Sequence, residues 1–411
     1  MYDAIIIGAR CAGAPTAMLL ARKGYRVLLL DRARFPSDTI STHIIWPHGA
    51  AILDDWGLLD RLAATGCPPV ARDLTFDVGP FALRGGVVDT NGGRGGFCPR
   101  RTVLDKLLVD AAAEAGAEVR EGFTVEKLLW DGDRVAGIRG HGHAGSPVEE
   151  RARVVIGADG VHSLVARAVR APEYDSKVPL TTNYYSYYAG FDARDIEMYV
   201  RDYQAVGCFP THDDLTLIAV LWPSSRFEEV RADVEGHVWE VLESTPTVAE
   251  RLRTAKREEK WYGTGGVPNY FRKPFGPGWA LAGDAGYNKD PITAQGISDA
   301  FIDAQQLTDT LDHGWSGRRP LDGALAESQS RRDDRVKPMY DFTCDLARLE
   351  PPPLHMQHLF AALRNNREAT NQFFSAITGS APLPSFMDPD NLAGILMNAP
   401  APALDEDGQR V

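Results

Sequence analysis

The stretch IIIGARCAGAPTAMLLARKGYRVLLLDR, Ile5 to Arg32, constrains the fold of this chain more than any other. Residues 4 to 8 are a short, continuous, β-branched apolar run, the composition of a strand buried on both faces of a parallel sheet. A glycine-bearing turn follows at once. Ala12 to Lys23, rich in Ala, Leu and Met and closed by Gly24, reads as a helix with its C′ glycine. YRVLLLD then supplies a second buried strand. Strand, turn, helix and strand make a βαβ unit, which commits this part of the chain to an α/β architecture around a parallel sheet.

Within that unit, Gly8, Ala9, Arg10, Cys11, Ala12 and Gly13 approximate the Gly-x-Gly-x-x-Gly turn that holds a dinucleotide pyrophosphate at a helix N-terminus. Gly8 makes the tight turn and Gly13 lets the helix pack close to the strand. Asp31, at the end of the second strand and followed by Arg32, stands where a ribose-binding carboxylate belongs. Arg10 occupies the middle glycine's position. Either its guanidinium bonds phosphate oxygens in a forked, charge-assisted geometry, or it is a solvated loop residue over a nonbinding turn. Cys11 reads as a small buried filler rather than a redox thiol.

Composition narrows the function classes. The chain has 411 residues, 44% of them hydrophobic and 24% charged, enough for one large core or two moderate ones. Its net charge is -12 and it has no run of five basic residues, so neither a nucleic acid nor an anionic membrane is an expected partner. Five cysteines without a C-x-x-C pair suggest no disulfide framework and no zinc site. The pairs His141/His143 and His355/His358 lack acidic or cysteine partners at ligand spacing, so no metal is expected. Asp3 stands where a signal peptide would be basic, and no apolar run approaches the roughly 18 residues of a membrane span. The expectation is a soluble cytoplasmic protein, monomer or homodimer.

Two later stretches repeat the strand-then-loop-then-helix texture. RVVIGADGVHSLVARAV, Arg153 to Val169, is a buried strand ending at Asp159 and Gly160, with Ser163 placed to start a helix. GPGWALAGDAGYNKDPITAQGISDAFIDAQQL, Gly276 to Leu307, is a strand ending at Gly283 and Asp284, then a loop, then a helix from Gly296 with Ile297, Ala300, Phe301, Ala304, Leu307 and Leu311 at helical spacing before Gly314. That helix N-terminus offers free N–H groups and partial positive charge at Gly296 and Ile297.

Together with the opening turn, these motifs resemble the flavoprotein hydroxylase superfamily typified by para-hydroxybenzoate hydroxylase, which also includes geranylgeranyl reductases and flavin-dependent halogenases. The resemblance covers about residues 1 to 335. It implies a Rossmann-like FAD-binding domain of the glutathione-reductase type with an inserted, mostly antiparallel sheet domain for substrate and a C-terminal helical segment. By that resemblance Asp284 bonds the FAD ribityl chain, Asp159 and Gly160 lie near the cofactor and the nicotinamide path, and Arg101 lies near the ribityl and phosphate region. Val125 meets adenine through its backbone, Thr42 and Pro291 border the cofactor, and Gly296 and Ile297 face the N1/C2 carbonyl side of the flavin. The chain departs from the pattern at Arg10, at Asp290 where a proline usually precedes Pro291, and at Thr293 where a glycine is usual.

The activity implied is hydroxylation of an aromatic or similarly hydrophobic small molecule by a flavin C4a-hydroperoxide, with NAD(P)H as transient reductant and O2 as co-substrate. No second glycine fingerprint follows a strand, so the nicotinamide has no Rossmann domain of its own. His43, in Ser41-Thr42-His43, is a candidate base for a phenolic proton, with a packing role as the alternative. Tyr287, with Asn288, is a second candidate for contact with ring or substrate, with a structural role as its alternative. Of the tyrosines 184, 185, 187 and 188, strand alternation lets one pair face a pocket. Double-bond reduction is the runner-up, although Ser41 to His43 replaces the Cys-Gly-Gly typical of those reductases. A halogenase is disfavoured because only Trp222-Pro223 stands for its Trp-x-Trp-x-Ile-Pro signature and no lysine lies between Lys23 and Lys106. A flavin-binding protein without turnover is a further alternative.

The expected organisation is a discontinuous cofactor domain of residues 1-67, 99-171 and 276-335, a substrate sheet of 68-98 and 172-275, C-terminal helices over 336-398 and a disordered tail, 399-411.

Overall fold

A computed structural model describes residues 1-88, 92-143 and 145-398; the tail expected to be disordered lies outside the described residues. The first sheet has a parallel core in the order Trp279–Leu281, Val148–Gly157, Tyr2–Ile7, Val27–Asp31 and Glu118–Glu121, with Phe275–Gly276 antiparallel at one edge. The apolar runs of the sequence have a two-sided reason. Ala4 and Ile6 face a core shared with the helices Gly13–Arg22, Arg101–Glu114 and Gly296–Trp315, while Ile5 and Ile7 face a second core. That second core is covered by an antiparallel meander, Thr124–Asp131 and Arg134–His141 running into Val148–Gly157. Ser163 caps the helix Leu164–Ala168, its hydroxyl accepting from the Ala166 N–H at 2.9 Å.

The second large sheet runs in the order Lys256–Arg257, Thr181–Ala189, Leu215–Pro223, Gln204–Pro210, Glu197–Arg201, Leu74–Asp77 and Ala82–Gly85. All its pairings are antiparallel except that of Leu74–Asp77 with Glu197–Arg201. Its tyrosines alternate as a pleated strand requires. Tyr184 and Tyr188 pack under the helices Phe227–Ala232, Val234–Glu243 and Pro246–Thr254, whereas Tyr185 and Tyr187 face the other way.

That other face is roofed by C-terminal helices, including Leu354–Leu363, Arg367–Ile377 and Leu383–Phe386. The division expected between 335 and 336 does not coincide with an element boundary. Leu321–Leu346 is one continuous helix through Pro338, because Arg332, Val336, Tyr340, Thr343 and Cys344 form an unbroken buried stripe. The helix from Gly296 likewise passes Gly314 and ends at Trp315. Among the described residues no helix is long and apolar enough to cross a membrane, and no cluster of three or more His, Cys, Asp or Glu has the arrangement of a metal site.

Candidate functional site

The opening turn is shaped by close approaches that exclude side chains. Gly8 has φ +100°, and a Cβ there would lie 2.2 Å from the Ala158 carbonyl oxygen; at Gly13 it would lie 1.8 Å from that of Gly8. The helix Gly13–Arg22 starts without a side-chain cap, leaving its N-terminal dipole available to an anion. Asp31 braces the turn: its Oδ2 accepts from the Ala9 N–H and its Oδ1 from the Ala33 N–H, each at 2.8 Å.

Arg10 is not a free, solvated residue. Its guanidinium is ion-paired with Asp105 and donates to the Ser37 hydroxyl at 3.1 Å and the Asp38 carbonyl at 3.2 Å. Asp105 is fully buried and also accepts from Arg101, at 2.9 and 3.1 Å. Two arginines around one carboxylate leave an excess positive charge beside the turn, the electrostatic setting a pyrophosphate requires. Burial pushes the neighbouring Cys11 thiol up to about 12, so it is an inert filler.

A cavity of about 990 Å³ starts at this turn. Gly8, Arg10, Cys11 and Ala12 line it, with Asp31 and Arg32 from the second strand, Val125 from the meander and Thr42 from the loop before the helix Pro47–Asp55. Arg101, Asp159, Gly160, Gly283 and Asp284 continue the wall, and Pro291, Gly296 and Ile297 close the middle of it. Ala9 and Gly13 are buried within the turn and the helix start and do not line the cavity. Asp159 keeps one oxygen, Oδ2, on the Leu164 N–H at 2.7 Å; its buried Oδ1 has no partner among the described residues. Asp284 is open to the cavity yet deep within the molecule, and removal from bulk water pushes its carboxyl up to about 6.

His43 and Tyr287 are off that wall. His43 is completely buried at φ +66°; its Nδ1–H donates to the Ser41 carbonyl at 2.7 Å and its Nε2 accepts from the Tyr187 hydroxyl at 2.8 Å. Burial holds its pKa down to about 3; of the sequence's two readings, base and packing residue, this matches the second: a neutral, fully bonded histidine that positions Tyr187. Tyr287 sits in an aromatic cluster with Phe271 and Tyr340, its oxygen accepting from Lys289 at 2.9 Å. Its neighbour Asn288 is the one of the pair that lines the cavity.

The loop departures have local explanations. Asp290 accepts from the Thr181 N–H at 3.0 Å, the Thr181 hydroxyl at 2.8 Å and the Ile292 N–H at 3.1 Å, tying this loop to the first residue of a second-sheet strand. Thr293 bonds Thr343 through its hydroxyl at 2.8 Å and accepts from the Trp46 indole at 3.1 Å. Lys289, which belongs to no sequence motif, lines the cavity and is ion-paired with Asp299 in the first turn of the helix from Gly296. A lone lysine in a loop carries no periodic signal.

Beyond Ile292 the cavity continues as a chamber with mostly apolar walls. Its floor is the second sheet, with Tyr185, Met198, Phe209, Leu217 and Leu221; its roof is Phe342, Leu346, Phe374 and Ile377 from the C-terminal helices. The sequence signal for that roof was only the amphipathic spacing of those helices, which does not say what they cover.

FAD suits these residues: a glycine cradle that a Cβ would fill, an excess of arginine charge at the turn, an orphaned buried carboxylate oxygen at Asp159 and a helix start at Gly296 along one continuous cleft. Comparisons with known proteins agree. A digeranylgeranylglycerophospholipid reductase of Methanosarcina acetivorans is 27% identical over 313 residues, 73% of this chain and 72% of the relative. The myxobacterial chondrochloren halogenase CndH superimposes with a TM-score of 0.77 at 22% identity, over 99% of this chain and 98% of that one. PqsL of P. aeruginosa in complex with 2-aminobenzoylacetate gives 0.70 at 23% identity, over 92% and 99%. Residues 1–343 match the family described as FAD binding domain. The chain belongs to that family and is an FAD-dependent oxidoreductase of the superfamily that joins hydroxylases, geranylgeranyl-type reductases and halogenases.

Proposed function

We propose that this enzyme is a monooxygenase that takes electrons from NAD(P)H and hydroxylates an aromatic or similarly hydrophobic small molecule held in the apolar chamber. The observation that carries the reading is the continuity of the cavity: the nucleotide cleft opens directly onto a roofed chamber with apolar walls, so a substrate there would meet the flavin edge away from bulk water. When bound, FAD supplies the electron transfer and oxygen activation. The chain supplies the rest. Arg10 and Arg101 would hold the diphosphate, Asp31 the adenosine ribose and Asp284 the ribityl chain, while the N–H groups of Gly296 and Ile297 would favour negative charge on the flavin ring. Tyr185 lines the chamber and is set in place by edge-to-face contacts with Tyr187 and His43, at ring separations of 5.8 and 5.7 Å. Its phenol would bond a substrate oxygen.

The test is oxygen consumption by the FAD-loaded protein with NADH and NADPH across a panel of phenols and anilines. Substrate-dependent oxygen uptake with formation of a hydroxylated product supports the reading; flavin reduction that never couples to oxygen insertion removes it. The likeness to the Methanosarcina reductase favours a second reading, saturation of an isoprenoid-like double bond in the same chamber. Anaerobic loss of the double bond with reduced enzyme would establish that one instead.

A further inference from the structure

The charged side chains on the cavity wall are unevenly distributed. They belong to the strand ends, loops and helix starts of the nucleotide half, such as Asp31, Arg101 and Asp284, or to the connecting loop. In that loop both charges are engaged: Lys289 with Asp299, and Asp290 with Thr181. Past Ile292, neither the sheet floor nor the helical roof contributes a charged residue to the wall. The nearest cation behind Tyr187, Arg100, is paired with Glu259 at 2.7 Å and stacked on the Tyr187 ring at 3.8 Å, outside the wall. Polar capacity is not absent. Asn183 stands on the same strand face as Tyr185 and lines the chamber, and its side-chain amide has no hydrogen-bond partner among the described residues.

An anion brought into such a space loses its hydration, finds no free cation and meets the Asp38 carboxylate, which lines the cavity and acts on Tyr185, whereas a neutral polar group can recover its hydrogen bonds from one amide and one phenol. We infer that the chamber selects uncharged substrates, with Asn183 as the side chain that reads a neutral donor or acceptor group, and that it rejects carboxylates and sulfonates. This inference rests on the chamber being the substrate site, and it adds the charge class of what enters.

The test uses the FAD-loaded protein and two fluorescent probes of one skeleton: N-phenyl-1-naphthylamine, which is uncharged, and 8-anilino-1-naphthalenesulfonate, which is not. The neutral probe should bind on the order of 100-fold more tightly. Ala219→Trp, which fills the chamber, should abolish that binding while FAD is retained. Met198→Lys, which puts a cation into the wall on a stem of similar shape, should bring the two affinities together; Ala219→Arg serves the same purpose if Met198→Lys does not fold. Equal affinities in the unmodified protein, binding of neither probe, neutral-probe binding that survives Ala219→Trp, or an unchanged ratio in the cationic variants would each overturn the inference. Substrate-driven oxygen uptake is a separate readout, so loss of charge selection and loss of the monooxygenase reading are told apart.

Discussion

Asp105 holds two arginines with different duties. Arg101 would keep the carboxylate paired if Arg10 were removed, so Arg10→Ala should leave the fold intact and remove one phosphate-side cation. The expected outcome is FAD binding weakened about tenfold, about 1.4 kcal/mol, with an unchanged unfolding midpoint; release of flavin fluorescence on dilution measures the first and urea denaturation the second. Lys289 is a different case. Lys289→Met strips Asp299 of its closest cation, with only Arg335, at 3.3 Å, remaining. That should destabilise the protein by about 2 kcal/mol in the same urea experiment, because a poorly hydrated carboxylate loses the closer of two cations. The sequence made Arg10 conspicuous because it interrupts a pattern. Lys289 interrupts nothing, and its importance arises from Asp299, ten residues later in the first turn of a helix that only the fold brings against it.

The loop Asp290 to Ala294 shows the same contrast at the scale of an element. Its glycine-to-threonine and proline-to-aspartate departures from the family pattern are accommodated locally by a 3-10 turn capped by Asp290, with Ala294 taking the left-handed conformation at φ +52°. Burial raises the Asp290 carboxyl from its ordinary 3.8 to about 6 despite three hydrogen bonds that oppose the shift. The folded chain therefore binds more protons than the unfolded chain between about pH 4 and 6, and this residue's contribution to stability declines as pH rises through that window and is level above it. Asp290→Asn should remove that part of the slope, leaving wild type and variant closer in stability at pH 4 than at pH 7.5, by urea midpoints at the two values. The βαβ turn was legible because strand, glycine and helix signals lie within thirty residues of one another. His43 was not, since its neutral state is set by burial under the second sheet, where it meets Tyr187 from 144 residues away.

For the whole molecule, the two large sheets meet at the cavity and the C-terminal helices complete it. Phe374 is 1% exposed and stands in the roof, so Phe374→Ala should cost about 4 kcal/mol and open the chamber, while FAD, held by the other half, stays bound; urea denaturation and the flavin spectrum check the two parts. An α/β core with a second, mostly antiparallel sheet followed from local pattern, but the roof depends on long-range packing that no local period encodes. The match to the cofactor family ends at residue 343, inside the roof: Phe342 precedes that point, and Leu346, Phe374 and Ile377 follow it. Most of the ceiling therefore hangs from chain that touches none of the glycine turn, and substitutions there should reshape the chamber while the coenzyme's cradle stands.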